Sequence, residues 1–180
     1  MQLVNRPLHP FTLLMLVIGL CWIVVTRQPE VVPVIATSQQ HVPLIRAQTL
    51  SGSIVQTTPH PAQPIIYVLW ASWCPPCRAE LPVLQALAPM LAAENIAVVL
   101  VNQGESPQTA AQWLAEMQIT MPAWYDTSGA FATAFQAHDL PSTIFVDAHG
   151  IVDFVYRGPV TREVIETMRD TWQQKQGGTK

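Results

Sequence analysis

Apolar positions along this chain follow two regimes. From Phe11 to Val25 they are broken only by Thr12 and Gly19, and the twenty residues between Arg6 and Arg27 carry no acidic or basic charge, with His9 neutral. A helix resting on a soluble core keeps a polar face, and this run has none. Twenty helical residues rise about 30 Å, the thickness of a bilayer's hydrocarbon core. Pro7 and Pro10 fall in the first turn, where a missing N–H is tolerated, and Trp22 falls near the far end, where an interfacial aromatic is favoured. The pattern predicts a transmembrane signal-anchor over residues 1–27. It is expected to stay uncleaved, because Thr26-Arg27-Gln28 makes a poor cleavage site directly after the run. Arg6 lies before the span and Arg27 after it is offset by Glu30, which places the N-terminus in the cytoplasm and exports the body. Residues 28–43 contain Pro29, Pro33 and Pro43 among Ser, Thr and Gln, the composition of an extended tether.

From Leu44 to Lys180 the apolar positions become periodic. Leu44–Ala47 and Ile54–Gln56 flank Ser51-Gly52 and predict a short hairpin. Ile65–Trp70 is an uninterrupted apolar run rich in strand formers, as in a strand buried on both faces. Pro75 to Glu94 carries Leu81, Leu84, Leu87, Ala88 and Leu91 at helical spacing, with Pro82 expected to kink the helix and Pro89 to bend or shorten it. Further on come a strand over Ala97–Val101, a helix over Thr109–Met117, a strand over Ala123–Tyr125 and a helix over Ala130–Gln136. Strands over Thr143–Asp147 and Val152–Tyr156 flank the turn Ala148-His149-Gly150, and Thr161 caps a last helix to about Gln173. Alternating βα units ending in a hairpin and a helix predict one α/β domain, 44–180, with a mixed central sheet.

Composition agrees with this division. Of the 180 residues 49 % are hydrophobic and 12 % charged, about half the usual charged fraction. A mean hydropathy of +0.24 excludes a disordered chain. Net charge −3 with two lysines excludes a nucleic-acid binder. The domain alone carries seven Lys/Arg against eleven Asp/Glu, a net −4, so it offers anionic lipid no second contact.

Candidate chemistry centres on Trp73-Cys74-Pro75-Pro76-Cys77, where a buried strand turns into a helix. Two cysteines so spaced can close a disulfide across the first turn. Cys74 then stands at the positive end of the helix dipole, which favours its thiolate, and Cys77, one turn in, is placed to resolve a mixed disulfide. A zinc half-site would need a second Cys pair or a nearby His, and a static disulfide seldom spans two residues at a helix start. A Cu(I) module holding Cys74 and Cys77, with His138, is the binding alternative. Cys21 lies within the apolar run and reads as a structural bystander.

The segment Val68-Leu69-Trp70-Ala71-Ser72-Trp73-Cys74-Pro75-Pro76-Cys77-Arg78-Ala79-Glu80-Leu81-Pro82 resembles the active-site stretch of membrane-anchored thioredoxin-like proteins of the TlpA/ResA type, related to DsbE/CcmG and ScsD. Leu140-Pro141-Ser142-Thr143-Ile144-Phe145-Val146-Asp147 resembles their second signature, and Ser106 to about Asp126 their extra helix and strand. The resemblance implies a thioredoxin-like fold with this αβ insertion, and an inner-membrane, single-pass protein with its catalytic domain on the periplasmic side. It implies a disulfide reductase serving cytochrome c maturation or envelope thiol maintenance. The working group would be the redox-active Cys74–Cys77 disulfide, with no other cofactor and no metal. Partners implied are disulfide-bearing proteins, such as apocytochrome c or another oxidoreductase, and a membrane electron donor of the DsbD/CcdA kind. An oxidase or isomerase in metal-stress tolerance, as in ScsD-like proteins, is the alternative in the same fold.

Pro141 then matches the family's cis-proline, orienting the backbone of Leu140 beside Cys74 for a substrate strand. Glu80, on the same helix face as Cys77, matches a glutamate linked to proton handling, since thioredoxin's own buried acid aligns with Val68. The plain alternative for Glu80 is an acid stabilising the first turns of its helix. Trp73 is expected to shield the disulfide and touch substrate, Arg78 to be a solvated charge, and Trp70, Trp113 and Trp124 to pack inside. The DsbE branch carries Gly-Val-x-Gly-x-Pro-Glu around its cis-proline, whereas here the stretch is Gln136 to Ser142, which departs from that branch's groove. Pro75 and Pro76 remove two N–H donors near Cys74, which stabilises its thiolate less and tilts the site toward reduction.

Overall fold

Strand β3 (Ile65–Trp70) organises the computed structural model, which describes residues 40–177. It pairs parallel with β4 (Ala97–Gln103) on one side and antiparallel with β6 (Ser142–Val146) on the other. Strand β5 (Ala123–Asp126) joins β4 in parallel, and β7 (Val152–Arg157) joins β6 in an antiparallel pair with a bulge at Phe145/Val146. The hairpin β1 (Arg46–Gln48) and β2 (Ile54–Gln56) attaches to β5, giving a mixed sheet in the order β2-β1-β5-β4-β3-β6-β7. The expected α/β domain with a mixed sheet is thus present.

Alternation along β3 divides the core. Ile66, Val68 and Trp70 face helix α1 (Pro75–Ala93), helix α2 (Pro107–Glu116) and helix α4 (Arg162–Gly177), packing with Leu81, Leu84, Leu114, Ile165 and Trp172. Tyr67 and Leu69 face the opposite side, where helix α3 (Ala130–Ala134) contributes Phe131 beside Ile144 and Val155. Each fully buried Leu of α1 contributes about 1.5–3 kcal/mol.

Neither Pro82 nor Pro89 ends α1. Both prolines lie on its solvent side, where water can satisfy the carbonyls they release. Helix α2 starts two residues before the expected Thr109, because Ser106 caps it by accepting the Thr109 N–H at 3.1 Å. Strand β4 runs two residues past Val101, into Asn102 and Gln103, whose polar side chains hide the extension from a hydrophobicity pattern. Helix α3 stops at Ala134, short of the expected Gln136, where the backbone turns left-handed.

The expected membrane anchor, Cys21 and residues 28–39 of the expected tether lie outside the described residues; among those described, no helix is long and apolar enough to cross a membrane. Residues 40–42, read from sequence as the end of the tether, are paired with the β6–β7 turn. Val42 donates to the Gly150 carbonyl at 2.8 Å, Val152 donates to that of Gln40 at 3.0 Å, and Val42 is buried. Thr57 ties the next residues down, donating to the Pro43 carbonyl and accepting the Ile45 N–H at 2.8 Å.

Gly150 is where this clasp closes most tightly. Its φ is +79°, and a Cβ there would stand 1.9 Å from the Pro59 carbonyl oxygen. A Gly150→Ala substitution is therefore expected to destabilise the domain by about 3 kcal/mol and lower its melting temperature by about 10 °C. Because Val146 pairs with Ile65 at the start of β3, Gly150 lies at the sheet end opposite the Cys pair. Calorimetry paired with a thiol-exchange assay should show stability falling while exchange below the melting point persists.

Candidate active site

Helix α1 begins where β3 ends. The intervening turn is closed by the Cys74 N–H donating to the Ala71 carbonyl at 3.2 Å. Cys74 is the N-cap, and its sulfur accepts the Cys77 N–H at 3.3 Å, a role ordinarily filled by a hydroxyl or carboxylate. Pro75 and Pro76 take the first helical positions, where their missing N–H groups leave no bond unmade. Cys74 and Cys77 are joined by a disulfide with Cα atoms 5.3 Å apart. Cys77 has no exposed surface and Cys74 only 3 %. Trp73 beside them is 66 % exposed.

Leu140 and Pro141 reach the same place from β6. Leu69 pairs with Ser142, so continuing the antiparallel register sets Pro141 opposite Trp70, at the end of β3 from which Cys74 emerges. The Leu140–Pro141 peptide bond is cis, and the Pro141 carbonyl accepts the Gly158 N–H at 2.8 Å. Pro141 is buried and Leu140 half-buried. His138 is exposed.

Glu80 stands one turn beyond Cys77 and is buried, 2 % exposed. Its Oε2 accepts the Val160 N–H at 2.8 Å, and Oε1 has no hydrogen-bond partner. Burial pushes its carboxyl up to about 8, against a smaller opposing effect of the Val160 N–H. A carboxyl so placed is mostly protonated near neutral pH and can exchange a proton within the pH range where thiols titrate.

The aromatic side chains flank this core. Trp70 is fully buried against the half-buried Trp113, with ring centroids 5.4 Å apart. Arg78 is exposed as expected, and its guanidinium lies over the Trp113 ring at 5.7 Å, a cation–π contact that the sequence pattern does not announce. Trp124 packs on Tyr67 in the opposite core.

Two residues with no motif of their own also belong here. Val160 supplies the N–H that holds Glu80. Glu105, in the turn after β4, accepts from the Ser72 N–H at 2.7 Å, the Ser72 hydroxyl at 2.5 Å and the Asn102 amide at 2.6 Å. Among the described residues no group of three or more His, Cys, Asp or Glu is arranged to hold a metal.

Comparison with known proteins agrees with this geometry. Residues 38–155 match the AhpC/TSA family. The chain is 29 % identical over 97 residues to the thiol-disulfide oxidoreductase ResA of Geobacillus kaustophilus, covering 54 % of this chain and 56 % of that one. It is 31 % identical over 114 residues to the thiol:disulfide interchange protein DsbE of Yersinia pestis, covering 63 % and 55 %. These matches span little more than half of either relative's length. Among solved structures, a DsbF homologue from Corynebacterium diphtheriae superposes with a TM-score of 0.67 at 24 % identity, over 81 % of this chain and 96 % of that one. The fold is thioredoxin-like, and the chain belongs to the AhpC/TSA family.

Proposed function

We propose that this chain is a thiol–disulfide oxidoreductase working as a disulfide reductase through Cys74 and Cys77. The observation that carries the reading is the Cys74–Cys77 disulfide at a helix N-terminus, with the Cys74 sulfur accepting the Cys77 N–H. In the reduced protein the Cys74 thiolate attacks a substrate disulfide, forms a mixed disulfide and releases the first substrate sulfur as thiolate. Cys77 passes its proton to the ionised form of Glu80, whose share grows as pH rises toward 8, and attacks the Cys74 sulfur, releasing the second. Two electrons leave the dithiol, the substrate disulfide becomes two thiols, and Cys74–Cys77 closes.

Each flanking residue has a part in this reading. Leu140 presents its backbone beside Cys74 for a substrate strand, with Pro141 fixing its direction. Trp73 offers an exposed aromatic contact next to the disulfide. Pro75 and Pro76 withhold donors from Cys74, favouring a reducing potential. Glu80 serves the buried Cys77 as proton acceptor and, on resetting, as donor. The redox-active disulfide is the only cofactor the reading calls for. Substrates are disulfide-bearing proteins, including apocytochrome c or another oxidoreductase, and a membrane thiol carrier of the DsbD/CcdA kind resets the pair. The apolar N-terminal segment would hold the domain at the exported face of the cell membrane as a single-pass anchor, with residues from 28 onward as its tether.

A Cys77→Ser variant tests the reaction. It is expected to accumulate a mixed disulfide on Cys74, visible as a species lost on reduction, while Cys74→Ser forms none. Absence of the adduct with every disulfide substrate offered would sink the reading. The potential tests the direction: a value nearer thioredoxin's, about −270 mV, than DsbA's, about −120 mV, is expected, and the reverse would make the protein an oxidase.

Glu80 also makes stability depend on pH. Its folded value is raised above that of the unfolded chain, so between the ordinary carboxylate range and about pH 8 the unfolded state binds fewer protons. Stability from this group is therefore present at low pH and is lost as pH rises through that window. Denaturant titrations should show Glu80→Gln gaining stability over the unaltered protein as pH rises toward 8, with the two converging near pH 4. The same variant should slow resolution of the mixed disulfide. An equal offset at all pH values would mean that folding leaves the carboxyl of Glu80 unshifted.

A further inference from the structure

Glu105 is half-buried and lies outside the CxxC segment and the cis-proline loop, yet three donors from two strand ends converge on it. Ser72 donates both its N–H and its hydroxyl, at 2.7 and 2.5 Å, and Asn102 its amide at 2.6 Å. Among the described residues no Lys or Arg forms an ion pair with it. Its own backbone is pinned on both sides: Gly104 donates to the Asp126 carbonyl at 3.0 Å, and Ser106 caps α2. A carboxylate is the side chain that accepts several donors at once without offering one. The buried Asn102 amide is turned toward it, leaving Asn102 Oδ1 with no partner.

Ser72 belongs to the turn closed by the Cys74 N–H on the Ala71 carbonyl. Two residues of chain plus one hydrogen bond set the carboxylate no more than about 10 Å from the Cys74 backbone. Negative charge at that range, partly shielded from water, opposes a second negative charge on the Cys74 sulfur. We propose that Glu105 is a positioning residue of the redox site, whose carboxylate fixes the turn ahead of Cys74 and whose charge opposes thiolate formation there. This rests on Cys74 being the attacking thiol. The helix dipole and Glu105 then act in opposite senses on one sulfur, and Glu105 adds to the reducing bias of Pro75 and Pro76. The other titratable groups on the elements around Cys74 are Cys77, Arg78 and Glu80 on α1, with His138 and Asp139 ahead of Pro141.

The test is the pH profile of Cys74 alkylation in the reduced full-length protein, read by site-resolved mass spectrometry, for the unaltered chain, Glu105→Gln and Glu105→Asp. Gln removes the charge and keeps the length, and rotation of the Asn102 amide would let its Oδ1 accept from the new amide. Asp keeps the charge and shortens the reach. The expected result is a midpoint lowered by roughly half to one pH unit in Glu105→Gln, with Glu105→Asp close to the unaltered chain. Equal shifts in both variants, or none in either, would overturn the charge role. If Glu105→Gln does not fold, Glu105→Asp compared with Glu105→Ser carries the same comparison. An unaltered chain whose Cys74 does not react at any pH fails the exchange reading and takes this proposal with it. A reactive Cys74 whose midpoint ignores Glu105 fails this proposal alone.

Discussion

Burial of β3 on both faces and both edges is the constraint from which the site follows. Tyr67 to Trp70 are almost wholly excluded from water, and neighbours β4 and β6 satisfy the backbone. A strand held this way has one register, because a slip by one residue would exchange its two core faces. Its C-terminal end is therefore a fixed point. Three pieces of the site are referred to it: the turn that launches α1, the loop ending in Pro141, and the loop carrying Glu105. The first is covalently continuous with β3, the second is set by the Leu69–Ser142 pairing, and the third by the Trp70–Asn102 pairing.

Two carboxylates bracket the disulfide, and their environments give them opposite characters. Glu80 lies behind Cys77, cut off from water, with one N–H for company, and its neutral form is favoured. Glu105 lies beside the turn before Cys74, half-exposed, with three donors aimed at its oxygens. A group that must trade protons with a thiol needs the first environment. A group that fixes backbone geometry and contributes a steady field needs the second. On these proposals the same side-chain type could serve both ends, because burial and donor count, rather than chemistry, separate the two.

Legibility in the sequence tracked how local each determinant is. The bounds of β3 coincide with its apolar run, which starts directly after Pro64. The Cys pair and Glu80 could be placed on one helix because their relation is a matter of residues along that helix. The end of strand β4 is not marked in the sequence, since Asn102 and Gln103 pair through backbone while their side chains look like loop. The pairing of residues 40–42 was invisible because it depends on Gly150, more than a hundred residues later. Val160 is the extreme case, contributing only a backbone N–H to Glu80 across 80 residues of sequence. No side-chain pattern can mark such a residue, since any amino acid but proline could donate there.

Reduction of the disulfide sharpens the asymmetry between the two sulfurs. Opening the bond creates two thiols, of which Cys77 has no exposed surface and Cys74 a small opening toward solvent. The helix N-terminus meets the Cys74 sulfur, and its dipole favours negative charge there over the position of Cys77 one turn in. In the proposed reaction Cys77 stays neutral until a mixed disulfide has formed on Cys74 and a proton acceptor is at hand. In the proposed reaction the ionised form of Glu80 would provide that acceptor without needing solvent to enter. The proposed order of attack, Cys74 first and Cys77 second, follows from Cys74 capping the helix N-terminus while Cys77 lies one turn in.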